Sequence, residues 1–312
     1  GAAGALVVRD VAGELPTVRI DDTRLGLGRL ARHWRGHASA RVVAITGSNG
    51  KTTLKEMTAA VLQQCGPVLA TRGNLNNDIG VPLTLLRLRD EPYAVIEMGA
   101  NHRNEIRYML GIAEPDIVFV NNAGAAHVEG FGSLQGVIEA KGEMYQYCRP
   151  QALAVFNDDE AAVDYWRSVV ATSSQLSFSS DHQADVTAQV ELTSQGIRLE
   201  IRHAGQRAQC RLDVHGAHNA QNALAAISLE NALAPLAVLV VGSFCWYWGW
   251  PLTTGILLLT ALAGIALAAV GGLVYWLRRG EGGDALAGRE VGQVLRLLLF
   301  RAVVEQQLGG AE

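Results

Sequence analysis

Between residues 41 and 157, short uninterrupted apolar runs alternate with longer stretches of helical period. The runs at 42–45, 68–70, 94–96, 117–120 and 152–156 lack polar alternation, as strands do when helices cover both faces of a parallel sheet. From Asp185 to Val214 the pattern changes to near alternation. Val186, Ala188, Val190 and Leu192 precede Ser194-Gln195-Gly196, and Ile197, Leu199 and Ile201 follow it, which predicts an antiparallel hairpin on the same domain. A helix is expected from near His218, with small apolar residues at Ala223, Ala226 and Leu229. Upstream, apolar runs at 5–8 and 17–20 and the helical spacing of Leu25, Leu27, Leu30 and Trp34 are too little for a domain and read as the tail of one.

The sharpest boundary follows Glu230, because no Asp, Glu, Lys or Arg occurs from Asn231 until Arg278. A membrane-spanning helix needs about 20 apolar residues. This stretch has room for two, broken at Gly249-Trp250-Pro251. Trp246, Tyr247, Trp248 and Trp250 gather at the break, and Tyr275 and Trp276 stand just before Arg278 and Arg279, as interfacial aromatics and inside-facing cations do. A transmembrane hairpin with both ends cytoplasmic is one reading, and a buried helical hairpin of a soluble domain is the other. The expected layout is therefore a remnant of an N-terminal domain (1–36), an α/β domain (37–230), the apolar hairpin (231–279) and a short helical tail (280–312). The fold class is α/β, a P-loop-type, mostly parallel sheet flanked by helices, with an added antiparallel hairpin and then an apolar helical hairpin.

Composition refines this picture in a few places. The 312 residues suffice for two ordinary domains, and 49% hydrophobic against 18% charged residues reflects the apolar end. A net charge of -4 leaves no basic footprint for nucleic acid. Cys65, Cys148, Cys210 and Cys245 form no CxxC pair, which argues against a zinc site or a disulfide framework and favours a reducing cytoplasm. No charged-then-apolar leader is visible, so no secretory signal is expected, and a start at Gly1 is what a fragment shows.

The strongest chemical signal is Thr46-Gly47-Ser48-Asn49-Gly50-Lys51-Thr52-Thr53, set between the first strand of the α/β domain and a helix. Glycines let backbone N–H groups face phosphate oxygens, and the helix N-terminus adds positive potential. Lys51 suits the β and γ phosphates, and the Thr52 hydroxyl suits Mg²⁺. The strict GxxxxGK[ST] pattern would put glycine at Ile45, so this loop is a variant whose first glycine stands at Gly47.

This loop resembles the TGTxGKT[ST] loop of the Mur ligases, and further segments agree in order. The run from Thr71 to Pro82, with Asn74, Asn76 and Asn77, is similar to the segment lying between nucleotide and UDP-substrate in the family member that adds D-alanyl-D-alanine. Without the family it reads as a loop of Asx turns. Glu97 and His127 follow strands and, by the resemblance, are magnesium ligands; by themselves they read as a surface charge and a structural histidine. The lysine matching Lys141 is carbamylated by CO₂ in the family, which exchanges a cation for an anionic oxygen ligand suited to Mg²⁺. Taken alone, Lys141 between Glu139 and Glu143 is an exposed charged helix. Asp159, Asn219 and Asn222 resemble residues around the ribose and adenine, although His218-Asn219 also fits a plain helix cap.

The resemblance covers roughly residues 2–229. It implies an ATP- and Mg²⁺-dependent enzyme of peptidoglycan synthesis that adds D-alanyl-D-alanine to a UDP-N-acetylmuramoyl tripeptide through an acyl phosphate. Its catalytic residues would be Lys51, His127 and Lys141. Most of the family's UDP-gripping N-terminal domain and its whole C-terminal domain have no counterpart here, so little ligation by this chain alone is expected. Two other readings stand beside it: a membrane-anchored protein whose ATP site serves regulation or assembly, and a chimaeric frame with an unrelated membrane tail.

Overall fold

A computed structural model describes residues 3–10, 13, 15–124 and 128–233 of the chain. His127, the apolar hairpin beyond Leu233 and the tail at 280–312 lie outside the described residues. Among the described residues, no helix is long and apolar enough to cross a membrane.

The opening stretch forms two short strands, β1 (Ala5–Val7) and β2 (Thr17–Arg19), which pair in parallel as a separate ribbon. They lead into α1 (Thr23–His37), which starts at Asp22, whose Oδ1 accepts from the backbone N–H groups of Arg24 and Leu25 at 2.7 and 3.0 Å. That is the N-cap chemistry Asp provides at a helix start.

The five predicted parallel strands all form: β3 (Arg41–Thr46), β4 (Val68–Ala70), β5 (Tyr93–Glu97), β6 (Ile117–Val120) and β7 (Leu153–Asn157). Between them run α2 (Lys51–Leu62), α3 (Gly80–Leu85), α4 (Glu105–Ala113), α5 (Val128–Phe131) and α6 (Leu134–Gln146). After α7 (Val163–Val169) comes β8 (Gln175–Ser179), a further parallel strand that hydrophobic pattern did not reveal. The alternating region gives β9 (Val186–Thr193), β10 (Gly196–His203) and β11 (Gln206–Leu212), three strands where a two-stranded hairpin was expected. α8 (Ala217–Leu233) closes the described chain.

The nine strands form one sheet in the order β11-β10-β9-β8-β7-β6-β3-β5-β4, antiparallel only at β9–β10 and β10–β11. Side chains of each central strand alternate between two cores, as period-2 geometry requires. Val42 and Ala44 face a core shared with α1, α3, α4 and α6, while Val43 and Ile45 face one shared with α2 and α8. Burial on both faces is why these strands read as unbroken apolar runs. From β3 the chain goes first to β4 and β5 on one side and then to β6 on the other. The carboxyl ends of β3 and β6 therefore flank a topological switch point, where open α/β sheets open a crevice for ligands.

Candidate nucleotide-binding site

The loop from Thr46 to Gly50 leaves β3 at that switch point and is fastened to the segment leaving β6. Ser48 N–H donates to Asn122 O at 3.0 Å, Asn49 N–H donates to Asn122 Oδ1 at 2.9 Å, and Gly124 N–H donates to Ser48 Oγ at 2.9 Å. Asn121 Nδ2 donates both to Asn49 O at 3.1 Å and to Asn222 Oδ1 at 3.0 Å. The loop is thus shaped from behind by two asparagines of the β6 end and one of α8.

Two glycines are required for that shape. Gly47 has φ 151°, and a Cβ there would fall 3.0 Å from Asn121 Cβ. Gly50, at φ 72°, is the left-handed residue before α2, and a Cβ there would lie 3.0 Å from Asn121 Nδ2. The first four N–H groups of any α-helix lack partners within the helix. At α2 these groups follow Gly50, so the helix presents donors and the positive end of its dipole together.

Lys51, half-buried, folds its Nζ back onto Gly47 O at 2.7 Å and Ser48 O at 3.1 Å. Burial pulls its ammonium below the usual lysine range, and the charge of Glu97 opposes that fall. Glu97, buried at the end of β5, accepts from Thr52 Oγ1 at 3.0 Å and from Asn76 Nδ2 at 2.8 Å. Hydroxyl and carboxylate oxygens side by side are hard donors of the kind Mg²⁺ takes, and Mg²⁺ commonly needs few protein oxygens because substrate phosphates supply others. The pair therefore fits that ion.

Lys141 is not on an exposed face. It is 1% accessible on α6, with Nζ 3.5 Å from Ala100 O and 5.6 Å from the centre of the Phe131 ring. Burial, with the positive charge of Lys51 acting in the same direction, brings its pKa down to about 8, against the pull of Glu105 and Glu143. Part of the amine is therefore neutral near physiological pH. Lys51 feels the charge of Glu97, and Lys141 feels that of Lys51.

The remaining predicted residues take varied positions. Thr53 is exposed on the first turn of α2. Asn74 is exposed; Asn77 Oδ1 accepts from the N–H groups of Ile79 and Gly80 at 3.3 and 2.8 Å and so holds the turn that leads into α3. Asn219 Nδ2 donates to His215 O at 2.8 Å in the turn that opens α8. Asp159 is saturated: the Ser179 hydroxyl donates to it, as do Ser180 N and Oγ at 2.8 and 2.9 Å and Gln221 Nε2 at 3.0 Å. Burial pushes this carboxyl up, but the donors from Ser179, Ser180 and Gln221 outweigh it and hold the group below the ordinary range. Asp159 thus ties the ends of β7 and β8 to α8. Sequence reasoning assigned no role to Ser179 or Ser180, and none to Gln221, Asn121 and Asn122 beyond the segments containing them. A polar pair directly after an apolar strand was the available signal for those two. A groove of about 590 Å³ between α1 and α4, lined by Leu25, Arg29, Arg107 and Tyr108 among others, contains none of these residues.

A glycine-rich turn at a sheet switch point, a lysine on the following helix and a carboxylate at the adjoining strand end are the arrangement of a P-loop-type α/β domain. Residues 45–229 match the family model described as the Mur ligase middle domain. The chain belongs to the Mur ligase family. It is 47% identical over 234 residues to the UDP-N-acetylmuramoyl-tripeptide--D-alanyl-D-alanine ligase of Escherichia coli (strain K12), an alignment covering 74% of this chain and 52% of that protein. It is 42% identical to the ligase of the same name from Haemophilus influenzae, with 72% and 50% covered. Among solved structures it resembles MurF from Acinetobacter baumannii, with TM-score 0.69, 39% identity, and 74% of this chain and 51% of that chain covered. A MurF ligase from Thermotoga maritima, solved in complex with ADP, gives TM-score 0.69 and 25% identity, covering 80% of this chain and 58% of that one. The chain spans about half the length of the curated relatives it matches.

Proposed function

We propose that this chain carries the nucleotide-binding part of an ATP-dependent ligase that adds D-alanyl-D-alanine to a UDP-N-acetylmuramoyl tripeptide in cytoplasmic peptidoglycan synthesis. The observation that carries the proposal is the convergence of the 46–53 loop, Lys51 and the Thr52–Glu97 pair at the sheet switch point. The names of the relatives supply the reaction, and the ADP complex of the Thermotoga maritima protein supports ATP as the nucleotide.

In this reading the amides of Gly47, Ser48, Asn49, Gly50, Lys51, Thr52 and Thr53 surround the phosphates, and Lys51 leaves its loop carbonyls for the β and γ oxygens. Thr52 and Glu97 would hold Mg²⁺, with His127 and a carbamylated Lys141 as the further ligands of this reading, and the bound ion would offset charge on the phosphates. Asn219, Asn222 and Asp159 lie on the adenine and ribose side, and Asn74, Asn76 and Asn77 face the UDP-linked substrate. The γ-phosphoryl group passes to the tripeptide carboxylate, giving an acyl phosphate and ADP. The amine of D-alanyl-D-alanine then attacks the acyl carbon and phosphate leaves. The chain's own contribution is positioning and electrostatic stabilisation, which dominate such transfers.

Titrating ATP into the wild-type chain and Lys51→Ala tests this reading. Loss of a charged hydrogen bond is worth about 1.5–3 kcal/mol, so about 10- to 100-fold weaker binding is expected. Equal affinities would remove the assignment.

A second reading concerns the apolar segment alone. Its uncharged length from Asn231 to Leu277 meets the membrane criterion twice over, so we infer an inner-membrane anchor behind the nucleotide-binding part. Fractionation after expression checks it: recovery of the chain in the membrane pellet is expected, and full solubility without detergent contradicts the anchor.

A further inference from the structure

α2 carries a second lysine one turn beyond Lys51, and it lies wholly inside the protein. Lys55 has no accessible surface, the rarest state for a lysine unless it is paired. Its Nζ donates to Thr71 O at 2.7 Å, at the point where β4 passes into the 71–82 loop, and meets Glu56 Oε1 at 2.8 Å. Thr71 is 1% accessible and is held in register by its N–H, which donates to Val95 O at 3.0 Å. Its hydroxyl oxygen accepts from the backbone N–H of Glu97 at 3.0 Å. Glu97 returns to α2 by accepting from Thr52 Oγ1 at 3.0 Å. The contacts close a ring: Lys55, Thr71, Glu97 and Thr52, with the first and last on the same face of one helix.

A solvated lysine would stabilise α2 equally well, so helix formation alone does not account for burying this ammonium. Its position does. The strand ends that bear Thr71 and Glu97 belong to neighbouring strands, and α2 crosses behind both. Burying a cation is tolerated when hydrogen bonds satisfy it, and breaking such a contact is far more disruptive than losing an exposed one.

We propose that Lys55 is a positioning residue for the cation site: through Thr71 it fixes the backbone of Glu97, and hence the carboxylate, against the Thr52 hydroxyl. The inference rests on the reading of Thr52 and Glu97 as magnesium-holding groups. Groups that orient a ligand without touching the metal typically matter by about 10- to 100-fold in metal affinity or activity.

The test measures ATP affinity of the full chain twice, with Mg²⁺ at saturation and with EDTA, and compares the ratio of the two between variants. Lys55→Met keeps the length of the side chain and removes its charge and donors. Thr71→Val breaks the middle link without touching Lys55, and Thr71→Ser restores the hydroxyl. The ratio is expected to fall about tenfold or more in Lys55→Met and Thr71→Val, and to stay near wild type in Thr71→Ser, with EDTA affinities little changed throughout. Should Lys55→Met not fold, the Thr71 pair decides. Variants that melt earlier yet keep the wild-type ratio would make Lys55 a purely structural residue and overturn the proposal. A wild-type chain that binds ATP with no response to Mg²⁺ would overturn both this inference and the cation site beneath it, which separates the two failures.

Discussion

Gly50 stands at φ 72° with the amides of Asn121 and Asn222 close to where a β-carbon would point, so a side chain there meets two separate penalties. The left-handed backbone costs roughly 1–2 kcal/mol for a residue with a Cβ, and the 3.0 Å approach to Asn121 Nδ2 forces that amide aside. Gly50→Ala is therefore expected to lower both the unfolding midpoint in urea and ATP affinity; an unchanged midpoint would contradict the loop geometry. Glu230 offers a test by pH. It is buried with Oε1 unpartnered, and burial pushes its pKa from 4.5 up to about 7. Because the folded value lies above the unfolded one, its contribution to stability is fully present below about pH 4.5 and is lost as pH rises through about 7. Glu230→Gln removes that dependence, so unfolding free energies of variant and wild type should diverge by about 2–4 kcal/mol between pH 4.5 and 8, in favour of the variant at high pH. Parallel curves would contradict the assignment. At this scale the sequence was most legible where chemistry is local: glycines, lysine and threonine stand consecutively in the loop. Lys55, Asn121 and Asn122 were not legible, because the partners Thr71, Asn49 and Asn222 lie 16 to 101 residues away and only the folded sheet brings them together.

The strands sandwiched between helices were legible element by element, since burial on both faces leaves an unbroken apolar run. β8 escaped for the opposite reason. Its alternate positions are Ser177 and Ser179, which look like loop residues until Asp185 receives hydrogen bonds from Ser177 and Asp159 receives one from the Ser179 hydroxyl. β11 carries the polar run Gln206, Arg207 and Gln209, with Cys210 and Leu212 as its buried positions. One prediction belongs to an element. Asn77 Oδ1 holds the turn that leads into α3 by accepting from two backbone N–H groups, so Asn77→Ala should cost about 1 kcal/mol in urea unfolding and Asn77→Ser much less. Equal loss in both variants would show that the side chain acts by some route other than these hydrogen bonds.

For the whole molecule, the chain spans about half the length of the relatives it matches, and the proposed phosphate site lies within the part that matches the Mur ligase middle domain. The 312-residue chain by itself, given ATP, UDP-N-acetylmuramoyl tripeptide and D-alanyl-D-alanine, is expected to form little amide product; rapid product formation detected by mass spectrometry would show that the matched portion suffices. The apolar pattern after Glu230 was legible as length and composition only, because a run of uncharged residues specifies burial without specifying what buries it.

The most direct measurement is a crystal structure of the chain with ADP and Mg²⁺. The β-phosphate is expected at the N-terminus of α2, with Lys51 Nζ moved from Gly47 O onto a phosphate oxygen and metal density touching Thr52 Oγ1 and Glu97. Nucleotide bound away from the 46–53 loop, or phosphate bound there with Lys51 still on its loop carbonyls and no density beside Glu97, would contradict the site.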